Sequence, residues 1–489
     1  MRGPVFACLV VGLAAVAHGQ TTEEPAAPID PAVLQNVLLP SDILTSSIRR
    51  FPDILEALAN EAAARGDRVA AEGAFDLVFN ADGFDRVTGF WTGSYLNTEV
   101  RQNLRPLGAT VYGGYRISDG TFPIYEDINF TNTGGEFKIG AIFSLLRDRT
   151  IDARRFRVED ARLAASQANL DVLLTQVGVQ QKALNAYWRY VAAGRELDVY
   201  RNLLEIAEAR EAGLEEQVQR GAMPEISVTE NQQNIIRRQI LVAESERNFA
   251  VAANALSFYY RDGSGNPIVP PIGSIPSLGL LTPLEDLAAV LNDPVNLALA
   301  DRPELRSLRV AIDRARNKVS LSENDLKPDL DVSLEVSRDV GDVAEGGISR
   351  DSTDTIVGFR FSLPLQRREA RGKLQRAEAE LRAARLREQR LEDQIEIELN
   401  NILVNLGTAL RLASLAEGEV VQSETMVEAE RRRFNLGASD FFLVNVREET
   451  AADARIRAIR AELTGRLART SYDAATLNLD ELGLTSATR

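Results

Sequence analysis

Residues 358–365 read Gly-Phe-Arg-Phe-Ser-Leu-Pro-Leu, and residues 140–145 read Gly-Ala-Ile-Phe-Ser-Leu. The two stretches stand 218 positions apart, and around them other pairs recur in the same order. Arg220-Gly221-Ala222 returns as Leu436-Gly437-Ala438, at 216 positions. Arg50-Phe51-Pro52-Asp53-Ile54-Leu55 is echoed by Arg302-Pro303-Glu304-Leu305, at 252. Ordered self-similarity marks a duplicated structural unit, and the larger upstream offset gives the first copy about 34 extra residues before Gly140. The chain therefore divides into a first repeat over 41–262 and a second over 295–475. A Gly/Pro-rich segment from Asp262 to Pro283 opens the linker, 263–294, and a tail covers 476–489.

Within each repeat the hydrophobic period changes from two to helical. Phe137, Ile139, Ala141 and Phe143 alternate with Lys138, Gly140 and Ser144, as do Leu330, Val332, Leu334 and Val336 with Asp331, Ser333 and Glu335. Such alternation predicts half-buried strands. Four are expected, at about 75–80, 136–145, 329–337 and 355–363, most of them near the length that crosses a bilayer when tilted. The first repeat also holds a long excursion, 81–135, with Trp91 and the run Val111-Tyr112-Gly113-Gly114-Tyr115; it either adds a strand or forms an external loop.

After each second strand the composition turns to Ala, Leu, Glu, Arg and Gln, strong helix formers, with no Pro from 150 to 219 or from 369 to 435. Gly221 and Gly437 then interrupt, followed by Pro224 and Asp440, which suit the start of a new helix. Two helical hairpins are expected, over about 150–260 and 369–475, each turning at its glycine.

Residues 1–19, MRGPVFACLVVGLAAVAHG, have the charged start, short apolar run and small-residue end of a signal peptide; residues 20–40 follow as an extension. The 489-residue sequence contains one His and one Cys, His18 and Cys8, both in that leader. A mature chain without them has no Cys or His nucleophile, no zinc, haem or iron–sulfur ligation and no disulfide. Neither catalytic nor metal-binding nor cofactor residues are expected. The net charge of −15 argues against nucleic acid as a partner. Four membrane-length strands cannot close a barrel, and open sheet edges are not viable in lipid, so the chain must oligomerise. Three copies giving about twelve strands is the simplest closed solution.

With these residues in place the chain resembles the TolC-type outer-membrane efflux ducts, from about 41 to 475. The resemblance rests on Arg302-Pro303-Glu304-Leu305, on Gly358 to Leu365, on Arg433-Phe434-Asn435-Leu436-Gly437-Ala438 and on Arg220-Gly221-Ala222. It implies a mixed α/β membrane protein: a trimeric β-barrel in the outer membrane continued by an α-helical periplasmic tunnel. It implies an equatorial region built partly by the linker and C-terminus. It makes Arg220, Gly221, Ala222, Leu436, Gly437 and Ala438 the tip turns where a periplasmic adaptor docks, with an inner-membrane pump beyond. Glu225, Glu230, Phe434 and Asp440 are candidates to narrow the lumen. The family's best-known closed tip uses a Tyr, an Arg and an Asp around the glycine. This chain has Val218, Met223 and Ser227 there in one repeat, and Phe434, Ser439 and Leu443 in the other, so that polar lock is absent. The expected function is passive conduction of a pump's cargo, not enzymatic. The competing reading is a periplasmic coiled-coil adaptor or scaffold, against which two equivalent hairpins count.

Overall fold

A computed structural model of the chain describes residues 37–276, 302–344 and 352–485. The signal peptide, most of the 20–40 extension, much of the linker and the last four residues lie outside the described residues. The chain runs α1 (Pro40–Arg50), α2 (Pro52–Glu72), β1 (Leu77–Asp85), β2 (Ser94–Asn103), β3 (Thr110–Asp119) and β4 (Glu136–Ser144). It continues α3 (Ala153–Gln219), α4 (Ile226–Ser257), α5 (Pro303–Asn324), β5 (Asp329–Asp339), β6 (Thr353–Ser362), α6 (Arg368–Asn435) and α7 (Phe441–Thr476). Pro52 and Pro303 each occupy the first turn of a helix, α2 and α5, that leads into a strand. A proline there costs nothing, because the missing N–H has no partner within the helix.

The strand count corrects the expectation. Among the described residues six strands, not four, form one antiparallel sheet in the order β1-β2-β3-β4-β5-β6. The excursion at 81–135 supplies β2 and β3, and the first strand begins at Leu77 because Gly73–Phe75 is a 3₁₀ turn ending α2. Trp91 lies in the loop between β1 and β2.

α3 is 67 residues long, about 100 Å at 1.5 Å per residue. Its start is fixed by Asp152, whose Oδ1 accepts from the backbone N–H of Arg154 and Arg155 at 2.9 and 2.8 Å. Halfway along, the helix is wrapped by the chain's own ends. Tyr187 and Tyr190 are fully buried among Leu38, Ile43, Ala253 and Leu256, and their hydroxyls donate to Leu38 O (2.9 Å) and Pro271 O (2.7 Å). A second cluster joins Leu44 and Leu184 to Leu482 and Leu484. The C-terminal segment is thus a packed belt, with Arg302 Nη2 donating to Ala475 O at 2.6 Å to tie the second repeat into it. A separate cluster of Leu305, Ile395 and Leu399 packs α5 against α6.

Candidate functional site

Both hairpins end in the same backbone motif. Gly221 has φ +69° and Gly437 φ +70°, the left-handed region that glycine adopts without a Cβ penalty. Ala222 N–H donates to Gln217 O (2.9 Å) and Gly221 N–H to Val218 O (2.9 Å). In the second hairpin Ala438 N–H donates to Arg433 O (2.8 Å) and Gly437 N–H to Phe434 O (2.9 Å). These are paired Schellman caps, which satisfy the last carbonyls of α3 and α6 and reverse the chain within a few residues.

The remaining candidates fall around these turns. Arg220 and Leu436 are the C-caps of α3 and α6; Leu436 is 83% exposed, and the Arg220 side chain 73%. Glu225 is exposed immediately before α4, and Glu230 is half-buried in its first turns. Asp440 caps α7, its carboxylate accepting from Leu443 N–H at 2.8 Å. The Phe434 ring lies 6.4 Å from that of Phe441, across the turn. Glu430 is buried beside them, accepting from Ser439 Oγ and from Arg433 Nη1 at 3.4 Å.

The sequence reading missed a cluster a few turns away. Glu448 of α7 is 1% exposed and accepts from arginines on three helices. Arg210 of α3 contacts its Oε1, Arg431 of α6 donates to the same oxygen from Nη2 (2.9 Å) and Nε (3.1 Å), and Arg238 of α4 reaches Oε2 at 3.4 Å. Arg238 is itself 1% exposed and also donates to Leu203 O at 2.7 Å. Arg210 additionally donates to Asn445 (3.0 Å) and covers the Phe441 ring. Burial alone pushes the Glu448 carboxyl up, but hydrogen bonds and charge from Arg210 and Arg431 outweigh it and hold the group below the usual carboxylate range. For Arg238, burial outweighs the attraction of Glu448 and lowers the guanidinium's pKa.

The cluster heads a polar seam between α3 and α7. Arg195 pairs with Glu462 at 2.8 Å, Arg460 with Glu196 at 2.9 Å, and the Arg466 guanidinium stacks 4.7 Å from the Trp188 ring centre. Among the described residues, no group of three or more His, Cys, Asp or Glu could hold a metal ion, and no helix is long and apolar enough to cross a membrane.

Residues 295–482 match the outer membrane efflux protein family. In structure the chain is similar to CusC (TM-score 0.64, 14% identity, covering 94% of this chain and 98% of that one). It is also similar to the outer membrane protein VceC of Vibrio cholerae (0.62, 15%, covering 89% and 95%). A third likeness is to the open state of the MtrE outer membrane channel of Neisseria gonorrhoeae (0.62, 15%, covering 89% and 88%). The chain has the fold of these outer-membrane channels, and its second repeat matches the outer membrane efflux protein family. No curated protein matches its sequence.

Proposed function

We propose that this protein is a TolC-type exit duct of a tripartite efflux or type I secretion system. Three copies form the tube, a periplasmic adaptor docks on the Gly221 and Gly437 turns, and an inner-membrane pump supplies cargo and energy. The observation that carries the reading is the pair of identical Schellman caps, which present the same backbone turn at the end of two adjacent hairpins. A threefold would repeat that pair into a ring of six equivalent turns. An adaptor or scaffold role is disfavoured by the six-stranded sheet, whose exposed apolar face suits lipid.

The Glu448 cluster supplies the closing contact that the absent tip lock would have made. It joins α7 to α3, α4 and α6 through directional charge contacts set among apolar side chains such as Phe441 and Val444, so parting the hairpins breaks those bonds. Adaptor binding that separates α7 from α3 then opens the end of the tube.

The docking assignment is tested with two sets of variants in an efflux assay on a deletion strain. Gly221→Pro with Gly437→Pro removes the left-handed turns, and Arg220→Glu with Leu436→Asp changes exposed tip side chains without altering the backbone. Both sets are expected to abolish adaptor-dependent efflux while trimers persist. Full efflux by the surface variant, with trimers intact, would sink the assignment.

A further inference from the structure

The hairpin β2–β3 is surplus to the duplicated plan, since β1, β4, β5 and β6 already give two strands to each repeat. It is nonetheless integral to the sheet. β1 pairs with β2 from Leu77↔Gln102 to Asp85↔Ser94, and β3 pairs with β4 from Thr110↔Ile142 to Arg116↔Glu136. The registers put Leu77, Phe79, Leu96, Val100, Val111 and Ile117 on the same face as Phe137, Ile139, Leu334 and Phe359. The opposite face carries Glu99, Arg101, Arg116, Lys138, Glu335 and Arg360, with Val78, Phe84, Ile142 and Ile356 as apolar exceptions.

Two polar contacts on that second face step over an intervening strand. Lys138 of β4 crosses Gly114 of β3 to reach Glu99 of β2 at 3.2 Å. Tyr112 of β3 crosses Gly140 of β4 to donate to Glu335 of β5 at 2.5 Å. A Cβ at Gly140 would stand 2.3 Å from the Tyr112 ring, and one at Gly114 2.9 Å from the Lys138 chain, so glycine is what lets each contact pass. At the helical end, Arg155 of α3 donates to Arg105 O in the β2–β3 turn at 3.2 Å. Sheet register, shared amphipathic face, stitched polar face and anchored turn all treat the hairpin as two more staves.

The sheet still has two open edges, β1 and β6, whose unpaired N–H and C=O groups lipid cannot satisfy. With six alternating strands these edges run in opposite directions, so β6 of one copy meets β1 of the next antiparallel, as a head-to-tail ring requires. We infer that three copies of this chain close into an eighteen-stranded barrel, apolar face to lipid and charged face to the lumen. At a strand spacing near 4.8 Å and a tilt near 40°, eighteen strands make a ring about 36 Å across, against about 24 Å for twelve. Twelve helices packed about 9 Å apart make a ring about 34 Å across, wide enough to meet an eighteen-stranded barrel without a step. The membrane segment is then as wide as the tunnel.

The inference rests on the exit-duct reading, and the tests separate the two. Electron cryo-microscopy of the full-length protein in lipid nanodiscs is expected to show eighteen strands around a threefold axis. A threefold ring of twelve, with the hairpin outside it, overturns the eighteen-stranded barrel and leaves the duct; particles with no membrane ring overturn both. In outer-membrane vesicles, a water-soluble maleimide is expected to label Asn97→Cys and Arg101→Cys at least tenfold faster than Leu96→Cys and Val100→Cys. Equal labelling of all four places the hairpin in water and contradicts the proposal.

Discussion

Glu448 is the single side chain on which the closed arrangement of the hairpins most depends. It is the shared acceptor for three arginines, so removing its charge leaves Arg238 buried without a counter-ion. Breaking one partner of a buried ion pair typically costs 3–5 kcal/mol, because the survivor remains desolvated. Glu448→Gln is therefore expected to destabilise the protomer by about 3 kcal/mol, read as a lower thermal midpoint, while Glu449→Gln changes little by the same measurement. The pH dependence follows from the depressed titration of Glu448. A carboxylate held down in the folded state contributes stability above its unfolded titration range, and that stability is lost as pH falls through the folded value. The gap in thermal midpoint between wild type and Glu448→Gln should be constant from neutral pH to about 5 and close below about 4. A gap that widens in acid would contradict the assignment. The cluster left a faint trace in the sequence. Phe441, Val444, Glu448, Ala451 and Ala452 fall on one helical stripe, as do Asn231, Ile235, Arg238 and Ser245, and all are buried. A charge at a seam position was the signal, but a single sequence does not say whether such a charge is solvated or paired across helices.

The elements differ in how plainly the sequence announced them. The long helices and their glycine turns were legible because Ala-, Glu- and Arg-rich runs without proline admit no competing structure. β4, β5 and β6 were legible because their alternation is clean over many residues. β2 and β3 were not: in β2 the apolar face holds only Leu96 and Val100 between polar residues, and in β3 Gly113-Gly114 reads locally as a turn. Gly114 is in the strand for a long-range reason, since it clears the path of Lys138, and no local pattern encodes that. The C-terminal segment was similarly unreadable as structure, since it is held by contacts across the chain. Leu482 is fully buried against α1 and α3, so Leu482→Ala is expected to cost about 3 kcal/mol and loosen the belt. Hydrogen exchange that speeds up at residues 38–48 in that variant would show the coupling, and unchanged protection there would refute it.

At the scale of the whole molecule, the acidic excess sets the electrostatic field around the tube. Sixteen net negative charges on a chain without its leader become about forty-eight in a threefold tube, a field that attracts cations wherever it faces water. Reversal potentials under a salt gradient should therefore indicate cation preference, and an anion-selective conductance would show that the acids lie mainly on the outer wall. The duplication explains why a chain of this length forms one continuous unit: each repeat supplies strands to the sheet and one hairpin to the tunnel, and the belt of chain ends locks the two together.

The central claim is that the chain builds a water-filled path gated at the periplasmic tip, and planar-bilayer recording of the purified protein tests it most directly. Wild type should insert and give discrete, mostly closed conductance steps, and Glu448→Gln should give the same unit step with at least a several-fold higher open fraction. Inserted protein that conducts in neither form, or a variant whose open fraction matches the wild type, would contradict it.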